Sequence, residues 1–426
     1  MGFDVVYLPP IHPIGSSHRK GSDNALEAGP GDPGSPWAIG SWEGGHAAIH
    51  PQLGSLDDFH AFMREAAALG LEVAIDLAFQ CSPDHPWVRD HPEWFRHGPD
   101  GVIQHAQNPP KMYQDIYPLD FSGPSSGPLW LEARAVVEHW VAQGVRIFRV
   151  DNPHTKPFEF WRWLIEQVSR EHPDVIFLAE AFTRPKVMRH LAKLGFAQSY
   201  VHFPWQNTKQ ELTDYFSREV LASDFGEYLR PSLWTNTPDI LTAYLREGGR
   251  PAFAIRLLLA ATMAGNYGIY GPAFELCWAA ARTPGEEEYL ASEKYQLRAW
   301  DVASGAVLAP LISQVNRIRR QLPALTRGDG PRFWESDSDE VIAYCRSDPQ
   351  DGDIAVVAVG LNPRRGCRAR VPPPQAVPPS WARASFVQDL LSGAVMPISA
   401  GGVVLELDPE RSPGAIMVPA GGAHSA

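Results

Sequence analysis

Short apolar runs alternate with longer amphipathic stretches along most of the chain. Runs rich in β-branched and apolar residues at 5–8, 72–78, 145–150, 175–179, 199–203, 230–234 and 267–270 have the length and punctuation of buried strands. Helical periodicity fills the intervals. Ser55 and Asp58 form a partial capping pattern, Phe59, Phe62, Met63, Ala66 and Leu69 share one face, and Gly70 ends the segment. Leu129, Ala133, Val136, Val137, Trp140 and Val141 mark a second helix over 129–143, and further helices are predicted at 157–171, 185–193, 252–263 and 308–321. Repeated strand–helix units predict an α/β fold with a parallel sheet. Seven strands suit a (β/α)8 TIM barrel with one strand missing, and the strand at Val5 has almost nothing before it, so the barrel is expected to be incomplete at the N-terminus. A doubly wound sheet would carry a Gly-rich phosphate turn after a strand, and none is present.

The pattern changes after residue 325. Short strands at 341–345, 354–359, 367–371, 385–388, 403–407 and 415–418, separated by Gly, Pro and Asp, predict a small all-β sandwich domain. The expected division is a catalytic barrel over 1–325 and a C-terminal β domain over 326–426. Two long irregular segments, 9–54 and 79–127, interrupt the barrel. They hold Trp37, Trp42, Trp87, Trp94, Phe95, Tyr113 and Tyr117, too many aromatics for disorder, and read as ordered loops over a site.

In barrels the reactive groups lie at the C-terminal ends of strands and in the loops beyond them. The third strand ends in Arg149-Val-Asp151, the fourth in Ala179-Glu180, and Asp239 follows the sixth. Period-two alternation puts Arg149 and Asp151 on one face, where a guanidinium keeps a carboxylate ionised and fixed, as a carboxylate nucleophile requires. Three acids without a cluster of metal-ligand spacing point to glycosyl transfer, with no metal or cofactor. A retaining enzyme needs a nucleophile and a general acid/base roughly 5 to 5.5 Å apart, and a third carboxylate can stabilise the oxocarbenium-like transition state. Of the histidines in or near the loops, His18, His46, His85 and His154 are expected to hydrogen-bond to backbone.

Composition narrows the setting. The formal net charge of −12 argues against nucleic-acid binding, and an anionic substrate must then meet a local cluster of Lys and Arg. No apolar run is long enough to span a membrane, the first residues carry no basic region or cleavage site, and Cys81, Cys277, Cys345 and Cys367 form no CxxC pair. A cytoplasmic protein with reduced thiols is expected.

Arg149-Val-Asp151, Ala179-Glu180 and Asp239 resemble three of the four short sequence regions of the α-amylase superfamily, glycoside hydrolase family 13. Two departures stand out: Asp76-Leu-Ala-Phe-Gln-Cys81 replaces the usual Asp-x-x-x-Asn-His, and Pro238-Asp239 replaces the usual His-Asp. These departures, with the runs 76–86, Asn108-Pro-Pro-Lys-Met-Tyr-Gln-Asp-Ile-Tyr-Pro118, 149–157 and Ser292-Glu-Lys-Tyr-Gln-Leu-Arg298, are similar to the α-1,4-glucan:maltose-1-phosphate maltosyltransferase group. The resemblance implies transfer of maltosyl units from α-maltose 1-phosphate to the non-reducing end of an α-1,4-glucan, with phosphate released. It implies Asp151 as nucleophile, Glu180 as acid/base, Asp239 as transition-state stabiliser and Arg149 as the group orienting Asp151. Lys20, Gln80, Asp115, Asn152, Lys294 and Tyr295 match the group's substrate-binding positions, and Asn108, Lys111 and Tyr113 fall where a phosphate pocket is expected. Met112 stands where a second Lys is common. The group lends an expectation of a homodimer, and of an N-terminal domain and first barrel strand that this sequence lacks. The alternatives are a hydrolase or isomerase of the same superfamily, or a chain that binds glucan without turnover.

Overall fold

The computed structural model describes residues 1–426 except 109–110, 222–225, 306, 328–329, 349, 351–353, 373–378, 400 and 421–426. The chain divides into two compact units. The first comprises Phe3–Tyr200 with Leu290–Ala299, and the second Met1–Gly2, Val201–Tyr289 and Trp300–Ala426.

In the first unit five strands lie side by side and parallel, in sequence order: β1 (Val5–Leu8), β2 (Glu72–Leu77), β3 (Ile147–Asp151), β4 (Ile176–Glu180) and β5 (Gln198–Tyr200). Strand β3 is buried along its whole length, as a strand covered on both faces must be. Helices run between the strands at Leu56–Ala68, Ser126–Ala142, Phe158–Glu171 and Pro185–Lys193. The first starts on a reciprocal cap: the Ser55 hydroxyl accepts from the Asp58 N–H, and the Asp58 carboxylate accepts from the Ser55 N–H. Helix Ser126–Ala142 buries the six residues that its periodicity singled out, and helix Phe158–Glu171 buries Phe160, Trp161, Leu164, Ile165 and Val168. These faces and the strands form one continuous core. Gln80–Cys81 pairs with Tyr117–Pro118, Ala106–Asn108 pairs with Lys111–Tyr113, and both pairings are antiparallel.

The second unit holds a further parallel pair, β6 (Pro231–Trp234) and β7 (Asn266–Gly268), and the helices Ala243–Met263 and Ala309–Gln321. The five strands and this pair match the seven expected of a barrel short of one strand. Among the described residues eight antiparallel strands come next: β8 (Arg332–Trp334), β9 (Val341–Ser347), β10 (Ile354–Gly360), β11 (Cys367–Val371), β12 (Phe386–Asp389), β13 (Val395–Pro397), β14 (Val403–Leu407) and β15 (Gly414–Pro419). Six form a sheet ordered β8-β9-β10-β15-β12-β13, and β11 pairs with β14. Alternate side chains of both sheets, among them Val341, Val356, Ala369, Leu405 and Met417, fill a common core, which is sandwich construction. No described helix is long and apolar enough to cross a membrane. All four cysteines are free thiols.

Candidate active site

Strand register assembles the site. In the parallel ladder Asp76 is the partner of Arg149, and Asp151 is the partner of Glu180. Four polar side chains therefore reach the C-terminal ends of β2, β3 and β4 together. One guanidinium nitrogen of Arg149 donates to Asp76 Oδ2 at 2.7 Å and to Asp151 Oδ1 at 3.0 Å. The other terminal nitrogen lies 3.7 Å from Glu180 Oε2. Arg149 is 7% exposed and Asp151 9%, so these charges act on one another through protein rather than bulk water. The Arg149 guanidinium also lies 5.7 Å from the Tyr7 ring centre and 5.8 Å from that of Tyr200.

Beyond Asp151 the chain turns through Asn152 at φ 42°, ψ 55°, a left-handed conformation that Asn tolerates better than most residues with a Cβ. That turn brings the Asn152 N–H to 3.2 Å from Glu180 Oε2.

Burial pushes the Asp76 carboxyl up to about 7, against the pull of the Arg149 charge. Its Oδ2 accepts from the Tyr7 hydroxyl, while its Oδ1 is buried without a partner among the described residues. Asp76 and Tyr7 belong to this cluster, and sequence reasoning leaves both out of the site. The signal lies in register: Asp76, one residue before the end of its strand, lies level with Arg149. The half-buried Lys156 has its ammonium pushed down by burial, opposed by Asp151, Asp76 and Glu180, so it belongs to the same electrostatic neighbourhood.

A second group forms around Lys20. Lys20 is 3% exposed, and its ammonium donates to Gln114 Oε1 at 2.6 Å. Asp115 is buried, its Oδ1 has no partner among the described residues, and burial raises its carboxyl against the charges of Lys20, His18 and Lys294. The Lys294 ammonium lies 5.2 Å from the ring centre of buried Tyr295. Gln80 donates to the Trp37 carbonyl at 3.2 Å, and Tyr113 packs on the small core of Ile14, Ala38 and Ile116. The Asn108 and Lys111 backbones face one another in their hairpin, while their side chains lie outside the described residues. Met112 is half exposed. A groove of about 700 Å³ is lined by His18, Arg19, Glu27, Asp32 and Gln114. Asp239 belongs to the second unit, where it is exposed beyond β6 and its N–H donates to Thr237 Oγ1 at 3.2 Å.

Among the described residues, one cluster has the residue types of a metal centre. Ligand atoms of buried His46, Cys81 and His85 all lie within 4.8 Å of one another. The hydrogen bonds assign it otherwise. His85 Nδ1 accepts from the Trp87 N–H at 3.0 Å, so the neutral ring carries its proton on Nε2. That proton goes to His46 Nδ1 at 3.1 Å, and His46 Nε2 donates to the Ala78 carbonyl at 3.0 Å. His85 then keeps no lone pair for a metal. Burial pushes His85 down to about 3 and His46 well below its ordinary value, which keeps both rings neutral.

No protein-family model matches the sequence. The α-1,4-glucan:maltose-1-phosphate maltosyltransferase of Chlorobaculum tepidum is 48% identical over 421 residues, covering 97% of this chain. Maltosyltransferase 1 of Streptomyces coelicolor is 52% identical over 419 residues, and that of Rhodospirillum rubrum 50% over 417. The chain is a relative of these maltosyltransferases. It spans 62%, 61% and 60% of their respective lengths, about three fifths. Among solved structures, a maltogenic α-amylase from Thermotoga neapolitana superposes with TM-score 0.74 at 17% identity, covering 98% of this chain and 91% of its own. The α-amylase of Geobacillus thermoleovorans, solved with acarbose, gives 0.72 at 15% identity, covering 98% and 88%. These likenesses give this maltosyltransferase relative the α-amylase fold.

Proposed function

We propose that the chain is a retaining maltosyltransferase that moves maltosyl units from α-maltose 1-phosphate to the non-reducing end of α-1,4-glucans. The observation that carries the reading is the pairing of Asp151 with Glu180 at the ends of adjacent parallel strands, both within reach of Arg149. Neighbouring strands lie about 4.8 Å apart, a spacing that suits the short carboxyl separation of double displacement better than the wider gap of an inverting enzyme.

Asp151, held by Arg149, attacks the anomeric carbon, and phosphate departs. The anion is a stable leaving group, so Glu180 mainly assists its exit. Glu180 then takes the proton from the acceptor's 4-hydroxyl as that oxygen displaces Asp151. Asp239 serves the transition state. The Oδ1 atoms of Asp76 and Asp115, without a partner among the described residues, are buried acceptors of the kind that sugar hydroxyls satisfy. Lys20, Gln80, Asn152, Lys294 and Tyr295 line the sugar subsites, with Asn108, Lys111 and Tyr113 toward the phosphate. Residues 1–325 form the catalytic part and 326–426 an appended β domain. The setting is cytoplasmic, the assembly a homodimer, and neither cofactor nor metal takes part.

The test is phosphate release from α-maltose 1-phosphate with and without maltohexaose. Acceptor-dependent release, with products lengthening two glucose units at a time, is expected. Release independent of acceptor would assign a hydrolase instead, and absence of release would overturn the proposal.

A further inference from the structure

The stretch that begins at Asp76 and includes Gln80 continues through Ser82-Pro-Asp84-His85, residues to which the proposed chemistry gives no role. In the structure this continuation grips the long loop that carries Lys20. Asp84 accepts four hydrogen bonds from two consecutive residues. Its Oδ2 receives the Ser16 N–H at 2.6 Å, the Ser17 N–H at 2.7 Å and the Ser16 hydroxyl at 3.0 Å, and its Oδ1 receives the Ser17 hydroxyl at 2.6 Å. Successive N–H groups converging on one carboxylate make a tight anion nest. Close packing accompanies it, because a Cβ on Gly15 would run into the Ser82 side chain.

The turn beyond the grip is strained. His18 adopts φ 54°, a left-handed backbone that disfavours a residue with a Cβ and persists only where its surroundings over-determine it. Arg19 locks the turn from the other side, with Nε donating to the Gly15 carbonyl at 2.8 Å and Nη2 to the Ile14 carbonyl at 2.9 Å. Lys20 comes next, its ammonium buried against Gln114. An ammonium on a four-carbon stem reaches only as far as its backbone lets it, so a shift of the turn shifts what Lys20 can reach. Here that backbone is held in an unfavourable turn by Asp84 on one side and Arg19 on the other.

We propose that Asp84 is a positioning residue for the donor: by fixing Ser16 and Ser17 it holds the left-handed turn at His18 and so places the Lys20 ammonium. Asp84 acts through Lys20 rather than on substrate. The inference rests on the maltosyltransferase reading for its kinetic consequence, though not for its structural one.

The experiment uses the 426-residue chain as wild type, Asp84→Ala, Asp84→Asn, Lys20→Ala and the Lys20→Ala/Asp84→Ala double variant. Lys20 is labelled with acetic anhydride and monitored by mass spectrometry, and donor KM and kcat are measured separately. In Asp84→Ala, Lys20 labelling should quicken about tenfold, and donor KM should rise about tenfold with kcat changed less than about threefold. Asp84→Asn keeps one acceptor oxygen and the side-chain shape, and should fall between wild type and Asp84→Ala. In the Lys20→Ala background, Asp84→Ala should add nothing to donor KM. Unchanged labelling in both Asp84 variants, or an equal KM effect with and without Lys20, overturns the proposal. If the wild type releases no phosphate, the maltosyltransferase reading falls, and the labelling comparison still decides whether Asp84 places Lys20.

Discussion

Moving the protein from pH 7.5 to pH 5 should remove a large part of the first unit's stability through histidines that stay neutral when folded. His12 lies 3% exposed and His85 2%, and burial pushes their imidazoles down to about 4 and about 3, from an ordinary 6.5. Below pH 6.5 the unfolded chain binds protons at these rings that the native chain refuses, so stability rises with pH there. The contribution is fully present above the unfolded value and is lost as pH falls toward the folded ones. At about 1.4 kcal/mol per pH unit, each ring costs about 2 kcal/mol at pH 5, and the two together about 4 kcal/mol. That compares with a total of about 5–15 kcal/mol for a typical domain. Urea unfolding read by tryptophan fluorescence at the two pH values, in wild type and His85→Gln, isolates one ring. Glutamine cannot titrate, so the acid loss should shrink by about 2 kcal/mol, although the variant starts lower for want of the hydrogen bonds to Trp87 and His46. An identical acid loss in the two proteins would refute the account.

Three further outcomes are expected of the strand-end cluster. Asp151→Ala should lower transfer by about 10⁴-fold or more while the far-ultraviolet circular dichroism is unchanged, and retained transfer would remove Asp151 from the nucleophile's role. Arg149→Ala leaves Asp76, Asp151 and Glu180 crowded without their shared cation, and should cost about 3–5 kcal/mol of stability in urea unfolding, beside loss of transfer. Tyr7→Phe deletes the hydroxyl that donates to Asp76 and should cost about 1–2 kcal/mol, read in the same way.

Much of this architecture is legible as pattern. Arg149 and Asp151 share a face because strands alternate, and Glu180 joins them because the next strand ends at the same level. Helix Ser126–Ala142 announces its buried face residue by residue. Other features depend on relations that local pattern does not carry. Tyr7 sits among apolar neighbours in a four-residue strand, and its meeting with Asp76 depends on how β1 and β2 align. The two-residue strands Gln80–Cys81 and Tyr117–Pro118 are too short to show a period. Helix Ala243–Met263 reads as helical only from Ala252 because Gly248, Gly249 and Pro251 signal a break, and Gly249 is indeed non-helical at φ 58°. Helix Lys209–Tyr215 is not among the helices expected from periodicity, being only two turns long, although Thr208 and Glu211 spell its capping box.

The left-handed Asn152 has a consequence for redesign. Its N–H donates to Glu180 Oε2, so the backbone after Asp151 helps hold the second acid, beside the strand register that places both. Side-chain exchange can silence either carboxylate or shorten the Glu180 stem by one methylene, while the strands still hold the two positions side by side. If the two act as nucleophile and acid/base, the anomeric configuration of the product is fixed by strand register. Converting such a site from retention to inversion would then call for a new connection between strand and helix, a change of chain path rather than of composition.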